Sequence, residues 1–383
     1  MTLEAFLGRC NREDLRVAGF SMESEAQIAQ RFLDGRGGDV DKALKLLMEC
    51  VALKKSMNVA QIKQQTPEQI LDVDFDVLRH FYPHGATGHD KLNRPLLFEH
   101  SGGIDINAVL HLTTLEKLRR FHLWSIEVRL DSLFSACAAL PDNPLQTVKA
   151  VAVTDLSNLT MSHCSAKFME HLKSIIAIDN VCYPETLGCM VLVNTPKIAV
   201  GAFKMLRAFL DKKTQKKIEL LSSGRPSIDR LKELIDEDVL PESMGGKGPN
   251  PYTSKPHTAF IKIGASTDFT YRMDVPAHHA LKVDSYIKDA SMSIRVQEEG
   301  QKPEEAPLHI EKMMPPEGGV TMRRVIILPA AQSDRSLFVT WRNDEKWYGR
   351  HLVYSVSLLR TPPSSEKGNE PHIFEETTSV ASA

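Results

Sequence analysis

Six cysteines occur in the chain, and no two form a CxxC pair. Cys10, Cys50, Cys137, Cys164, Cys182 and Cys189 are scattered, which fits free thiols in a reducing cytoplasm better than a disulfide framework. No apolar run approaches the roughly twenty residues that a bilayer span needs, so membrane contact is expected to be peripheral. The opening MTLEAFLGRCNRED has no continuous apolar stretch of the secretory kind. No basic arm or aromatic-interleaved basic stripe is present, and the net charge is −2 over 383 residues. Both points argue against a dedicated nucleic-acid binder. Enzyme signatures are also missing: there is no GxSxG, no GxGxxG after a strand and no HExxH. Gly245-Gly246-Lys247-Gly248 lacks the spacing of a phosphate loop and runs into prolines. His278-His279 and His163-Cys164 are adjacent, whereas two metal ligands on one helix face sit three or four apart. We therefore expect no catalytic residue, no metal and no cofactor. Asp155, at the end of an apolar strand, has no visible partner and is read as a structural hydrogen-bonding group.

What is present is ordinary in bulk, with 42% apolar and 25% charged residues, and long enough for two or three domains. Residues 1–65 read as a small helical unit, with Ala43, Leu44, Leu47, Met48 and Val51 at helical spacing and Asp39 or Asp41 as cap. Glycines 35, 37 and 38 end the helix before it. Residues 66–252 alternate helical and strand patterns. A helix starts near Pro67, a polar loop PHGATGHDKLNR follows, and 95–100 is a short strand. A long helical pattern covers 115–134 and carries Leu118, Phe121, His122, Trp124, Ile126 and Leu130. Runs 148–153 and 189–193 are buried strands flanking a helix over 166–178 with Phe168, Leu172, Ile175 and Ile176 on one face. Strand, helix and strand of these lengths predict an α/β domain with a mixed, largely parallel sheet. From 255 to 360 the period changes to two: Met292, Ile294 and Val296, then Leu352, Tyr354, Val356 and Leu358, alternate with mostly polar neighbours. That predicts an antiparallel β-sandwich. Residues 361–383 are polar and read as a disordered tail.

The stretch 183–222 stands out. A turn, Tyr183-Pro184-Glu185, precedes an apolar strand, and Asn194-Thr195-Pro196 then opens a helix over 197–210. Ile198, Val200, Phe203, Met205, Leu206, Phe209 and Leu210 make that helix apolar on nearly all sides. It is too short to span a bilayer, and Lys212, Lys213, Lys216 and Lys217 follow it. Either it is a core helix with a solvated charged end, or it covers something other than water.

Taken together, RFLDGRGGDVDKA, HDKLNRPLLFE, VTDLSNL, YPETLG, LVNTPKIAVGAFKMLRAFLDKKTQKKIELL and LPESMGG resemble the CRAL-TRIO lipid-binding family over residues 21–250. LFVTWRNDEKWYGRHLVYSVSLL resembles the small GOLD β-sandwich that follows this domain in some members. The resemblance implies a non-enzymatic protein that binds and transfers or presents a phospholipid, most readily phosphatidylinositol, in a pocket gated by the 197–210 helix. The head-group contacts it implies are Arg36, Asp90, Pro95, Glu185, Gly188, Thr214 and Lys217. Arg36 and Lys217 would donate to phosphate, Thr214 would add a neutral donor, Glu185 would accept from ring hydroxyls, and Gly188 would let the backbone approach. The alternative is an Arg36–Glu185 pair of purely structural use. Positions that carry choline-binding groups in some members are Ala86, Ile126, Ala150 and Ala152 here. A different second cargo is then expected, such as a sterol or a tocopherol-like molecule. Implied partners are membrane lipids in peripheral contact, with a protein partner at the GOLD-like sandwich and a membrane-trafficking adaptor role as the rival function.

Overall fold

The computed structural model describes residues 2–140, 148–252, 255–302, 304–315, 318–360 and 374–375. It divides into two compact units, one built from residues 1–75, 81–106 and 114–253 and the other from 76–80, 107–113 and 254–383. The N-terminal helices thus share a unit with the α/β sheet. Their ends are set by side-chain caps. Ser24 and Gln27 form a reciprocal box before helix Glu25–Gly35, and Asp39 accepts from the Lys42 amide before helix Val40–Ser56. Pro67 occupies the first turn of helix Pro67–Leu71, where its missing N–H costs nothing.

The sheet has five strands in sequential order: β1 (His84–His89), β2 (Pro95–His100), β3 (Ala150–Asp155), β4 (Leu187–Val193) and β5 (Ile218–Leu220). β2 to β5 run parallel and β1 pairs antiparallel to β2. The mixed, largely parallel sheet is as expected, but the PHGATGHDKLNR loop is not a loop. Its first half is edge strand β1, whose glycines and histidines hide strand propensity. The two faces of the sheet differ. One carries Leu96, Phe98, Val151, Val153, Cys189, Val191 and Val193 and packs on Leu231, Ile235, Leu240 and Met244. The other carries Leu97, Ala150, Ala152, Met190, Leu192 and Ile218, and opens onto a cavity. Small residues at 150 and 152 leave room there.

The helical pattern over 115–134 is continuous but changes pitch. Leu115–Trp124 is α-helical, Ser125–Leu130 is a π-turn, and Asp131–Ala138 resumes the α-helix. Such a turn inserts an extra residue and rotates the side chains after it, and turns of this kind often sit at functional sites.

In the second unit, two antiparallel sheets face each other. One has the order β10 (His309–Met313), β9 (Met292–Glu298), β12 (Arg335–Asn343), β7 (Asp268–Val275). The other runs β11 (Met322–Leu328), β8 (His279–Ile287), β13 (Arg350–Arg360), with β6 (Thr258–Ile263) also pairing β13. Met292, Ile294, Val296, Leu352, Tyr354 and Val356 all point into the core, as their alternation requires. Trp341 lies between the sheets, and its indole N–H donates to Ser285 Oγ at 2.8 Å. The anticipated tail, 361–383, falls outside the described residues, apart from Phe374–Glu375, which pairs with β13.

Candidate functional site

A cavity of about 800 Å³ lies against the open face of the sheet. Its walls are mostly hydrocarbon. Phe168, Leu172, Ile175 and Ile176 contribute the face of helix Ala166–Cys182 that the sequence pattern marks out, and Phe121, Ile126 and Leu130 come from the pitch-changing helix. Helix Lys197–Arg207 closes one side. Ala199, Ala202, Phe203 and Leu206 fall at helical spacing and line the cavity, joined by Phe209 and Leu210 just beyond the helix. The helix is not apolar all round. Its outer face mixes Lys197, Lys204 and Arg207 with Val200 and Met205, and these last two are 42% and 53% exposed. Ile198, Val200 and Met205, also named for this helix, lie on it but are not among the residues lining the cavity. The contiguous apolar run had concealed which residues turn outward.

The mouth is organised by the turn Tyr183-Pro184-Glu185. Glu185 has φ of +61°, a left-handed conformation that costs a non-glycine residue about 1–3 kcal/mol and must be held by its surroundings. Three contacts hold it. Tyr183 donates to Glu127 at 2.7 Å, Thr186 Oγ1 donates to the Tyr183 carbonyl at 2.8 Å, and Arg31 donates to the Pro184 carbonyl at 3.3 Å. Gly35 ends helix Glu25–Gly35 directly against this turn, and a Cβ there would lie 2.8 Å from Pro184 Cβ. Only glycine lets the N-terminal segment approach so closely, and that approach puts Arg36 on the rim.

Glu185 then meets Lys217 at 2.8 Å and Lys213 at 3.6 Å. Burial, the largest influence on its carboxyl, works to raise the pKa. The Lys217 hydrogen bond and the charges of Lys217, Lys213 and Lys149 outweigh it and hold the group below its ordinary value. The alternative Arg36–Glu185 pair does not form among the described residues. Asp211 caps helix Lys212–Lys216 through the amides of Lys213 and Thr214 and also accepts from the Thr214 hydroxyl, which fixes Thr214 on the rim beside Lys217.

Four of the seven anticipated contacts, Arg36, Glu185, Thr214 and Lys217, thus line one cavity mouth. Asp90, Pro95 and Gly188 do not line it, and the reason is local. Asp90 is buried and accepts from the Leu92 and Arg94 amides and from the Arg94 guanidinium, tying off the β1–β2 hairpin. Gly188 gives way to the same Arg94, whose Nη1 would lie 2.9 Å from a Cβ there. Pro95 starts β2 within this knot. Asp155 accepts from the Ser157 amide and the Asn194 side chain, the structural use expected for it. His163 caps its own short turn by accepting from the Thr160 amide.

A second polar group of residues was not anticipated. Tyr82, Glu99, Ser101, His122 and His171 line the cavity from four separate segments. Tyr82 and Ser101 both hydrogen-bond Glu99, and the Tyr82 hydroxyl lies 3.4 Å from His171 Nε2. His122 donates to Asp179 at 2.7 Å. Burial is the main force raising the Glu99 pKa, and burial, then the charges of His122 and Arg119, push His171 down to about 4. The available signal was polar residues in apolar positions: Glu99 following the apolar run of PLLFEH, and His171 amid Phe168, Leu172 and Ile175. Periodicity alone cannot report that such residues meet.

Residues 80–246 match the model of the CRAL/TRIO domain, so the chain carries a CRAL/TRIO domain whose sheet, cavity and covering helix are those just described. Phosphatidylinositol/phosphatidylcholine transfer protein SFH9 of Arabidopsis thaliana is 29% identical over 216 residues, covering 56% of this chain and 36% of that protein. SFH7 of the same plant, with the same description, is 31% identical over 220 residues, covering 56% and 38%. The SEC14 cytosolic factor of Candida glabrata is 28% identical over 239 residues, covering 62% of this chain and 75% of that protein. The chain spans little more than a third of the length of these plant relatives.

Proposed function

We propose that this chain is a non-enzymatic carrier that binds a phospholipid, phosphatidylinositol foremost, and transfers or presents it between membranes. The observation that carries this reading is a rim of Arg36, Lys217 and the acceptor Glu185 on the mouth of an apolar cavity, with Lys213 paired to Glu185 beside it. An inositol phosphate needs that combination: charge-assisted donors for phosphate and an acceptor for ring hydroxyls. The names of the relatives, phosphatidylinositol/phosphatidylcholine transfer proteins, support it. Ala150 and Ala152 offer no hydroxyls to a choline head, which favours phosphatidylinositol over phosphatidylcholine here. Acyl chains in the cavity gain about 0.8 kcal/mol per CH₂ removed from water, so the closed, loaded state is favoured in solution. At a membrane, Val200 and Met205 enter the interface, and the lysines of 212–217 each add about 1 kcal/mol of attraction to anionic lipid. No helix among the described residues is long and apolar enough to cross a membrane. We read the protein as cytoplasmic, in peripheral contact with lipid.

The test is transfer of phosphatidylinositol between vesicles. Lys217→Ala and Glu185→Ala each slow it by roughly tenfold or more, the worth of a charge-assisted hydrogen bond. Unchanged rates in both variants would remove the head-group site.

A second reading is favoured by Trp347, 83% exposed, and its neighbour Tyr348 on the connection between β12 and β13. Exposed aromatics of this kind are the usual anchors of protein contacts. They suit an adaptor whose GOLD-like sandwich holds a partner in membrane trafficking. Trp347→Ala with Tyr348→Ala then abolishes partner capture while vesicle transfer continues. Loss of transfer with capture intact speaks against the adaptor.

A further inference from the structure

The second unit leaves one strand edge open. Among its described residues, large apolar side chains reach solvent in two places. One is the connection bearing Trp347 and Tyr348; the other is Leu308, Ile310, Met314, Val320, Val325 and Ile327, on or beside β10 and β11. β10 and β11 are edge strands of the two facing sheets, and a 2.8 Å ion pair from Arg324 to Glu311 joins them on one side of the sandwich. The other edge of the β10 sheet is β7, whose solvent-facing row is Asp268, Thr270, Arg272 and Asp274. Charge of that kind keeps a bare strand from pairing with another chain. The solvent-facing row of β10 is Ile310 and Lys312, with Leu308 and Met314 continuing it just past the ends, and Ile310 is 59% exposed. Pro307 and Pro315 close the stretch on both sides. An open strand edge offers backbone donors and acceptors that another strand satisfies and hydrocarbon does not.

We propose that β10 is a contact between two copies of this chain, which pair antiparallel about a two-fold axis through Ile310 and join their sheets into one. The strand complements its own reverse. With Ile310 opposite Ile310, His309 of each copy faces Glu311 of the other, and Leu308 faces Lys312, whose aliphatic stem covers it. A shift of two residues sets Glu311 against Glu311 or His309 against His309, and a shift of one turns the apolar row to the wrong face. Within one copy His309 Nε2 lies 3.3 Å from Glu311, yet it is buried and has no hydrogen-bond partner among the described residues. Glu311 of the second copy brings another acceptor to that side. The contact shares no residue with the cavity, its rim or the Trp347–Tyr348 connection, and it does not depend on the cargo.

Sedimentation velocity of the full chain across micromolar concentrations reads the contact. The expected result is a monomer–dimer equilibrium that shifts toward dimer with concentration. Ile310→Arg sets two like charges together on the axis and weakens the dimer roughly tenfold or more. Its position is open to solvent, so circular dichroism shows the fold unchanged. Cysteine variants under mild oxidant read the register against the parent chain as control. Ile310→Cys cross-links to itself, because residue 310 faces its own copy. Leu308→Cys and Lys312→Cys do not cross-link alone and do so when mixed. A parent chain that stays monomeric throughout overturns the proposal, whatever the variants do. A dimer that survives in folded Ile310→Arg, or that gives no cross-link at 310, also overturns it. So does a monomeric chain whose Ile310→Arg variant loses binding to vesicles of phosphatidylcholine and phosphatidylserine, which assigns this edge to a lipid surface.

Discussion

Replacing Lys54 by methionine lowers the stability of the α/β unit by about 3–5 kcal/mol, the cost of leaving a buried charge without its partner. Lys54 is 2% exposed and its ammonium pairs with Glu127, itself 5% exposed, while also donating to the Val17 carbonyl at 3.0 Å. Once it is removed, the nearest cation left to Glu127 is Lys63, at 3.8 Å and reaching from a partly exposed position. Glu127 also accepts from Tyr183, the residue that opens the turn bearing Glu185. The same variant should therefore loosen the cavity mouth and weaken phosphatidylinositol binding at a distance. Equilibrium denaturation measures the first effect and vesicle transfer the second. Lys54→Met combined with Glu127→Leu recovers a large part of the lost stability, because an apolar pair of similar volume needs no partner. A single variant within about 1 kcal/mol of the parent would show that this pair is not the staple between the N-terminal helices and the rest of the unit.

Ala152→Phe is expected to cut lipid uptake at least tenfold and leave the fold standing. Residue 152 points from β3 into the cavity, so a phenyl ring enters open space instead of a packed wall, and the stability change stays below about 1.5 kcal/mol. Val151, the next residue, points the opposite way into the closed core and is fully buried. Val151→Phe has no such room and is expected to cost about 1–3 kcal/mol through overpacking. The adjacent pair is its own control. Thermal or denaturant unfolding separates the two on stability, and uptake of a fluorescent phosphatidylinositol separates them on function. Full uptake by a folded Ala152→Phe would mean that lipid does not occupy this space.

Much of the fold was legible because it is written in short-range patterns. Period-two alternation at 292–296 and 352–358 marked sandwich strands whose apolar residues do face inward. Apolar runs at 148–153 and 189–193, with a helix between, marked parallel strands. At the mouth, Glu185, Thr214 and Lys217 were legible because they flank the covering helix in one continuous stretch. Arg36 was also named, but it reaches the rim only because Gly35 packs on Pro184. Misreadings occurred where a local pattern had two uses. HDKLNRP carries a turn-closing salt bridge, Asp90 to Arg94, that reads the same as a binding loop until the hairpin is seen. The helix after Pro196 reads as apolar throughout, because sequence does not say which of its residues face the cavity.

The sequence by itself determined most of the secondary elements and the two architectures, and it put an acid and a lysine at the two ends of the covering helix, since each depends on residues close together along the chain. Only the tertiary structure decided that the open face of the sheet looks onto a cavity and that Lys54 meets Glu127. It alone joined Tyr82, Glu99 and His171 on one wall. Those contacts join residues about twenty to ninety positions apart, and no periodicity extends that far. Burial then gives them their character: the same glutamate that is ordinary in solution becomes, beside a cavity, a group pushed toward its neutral form.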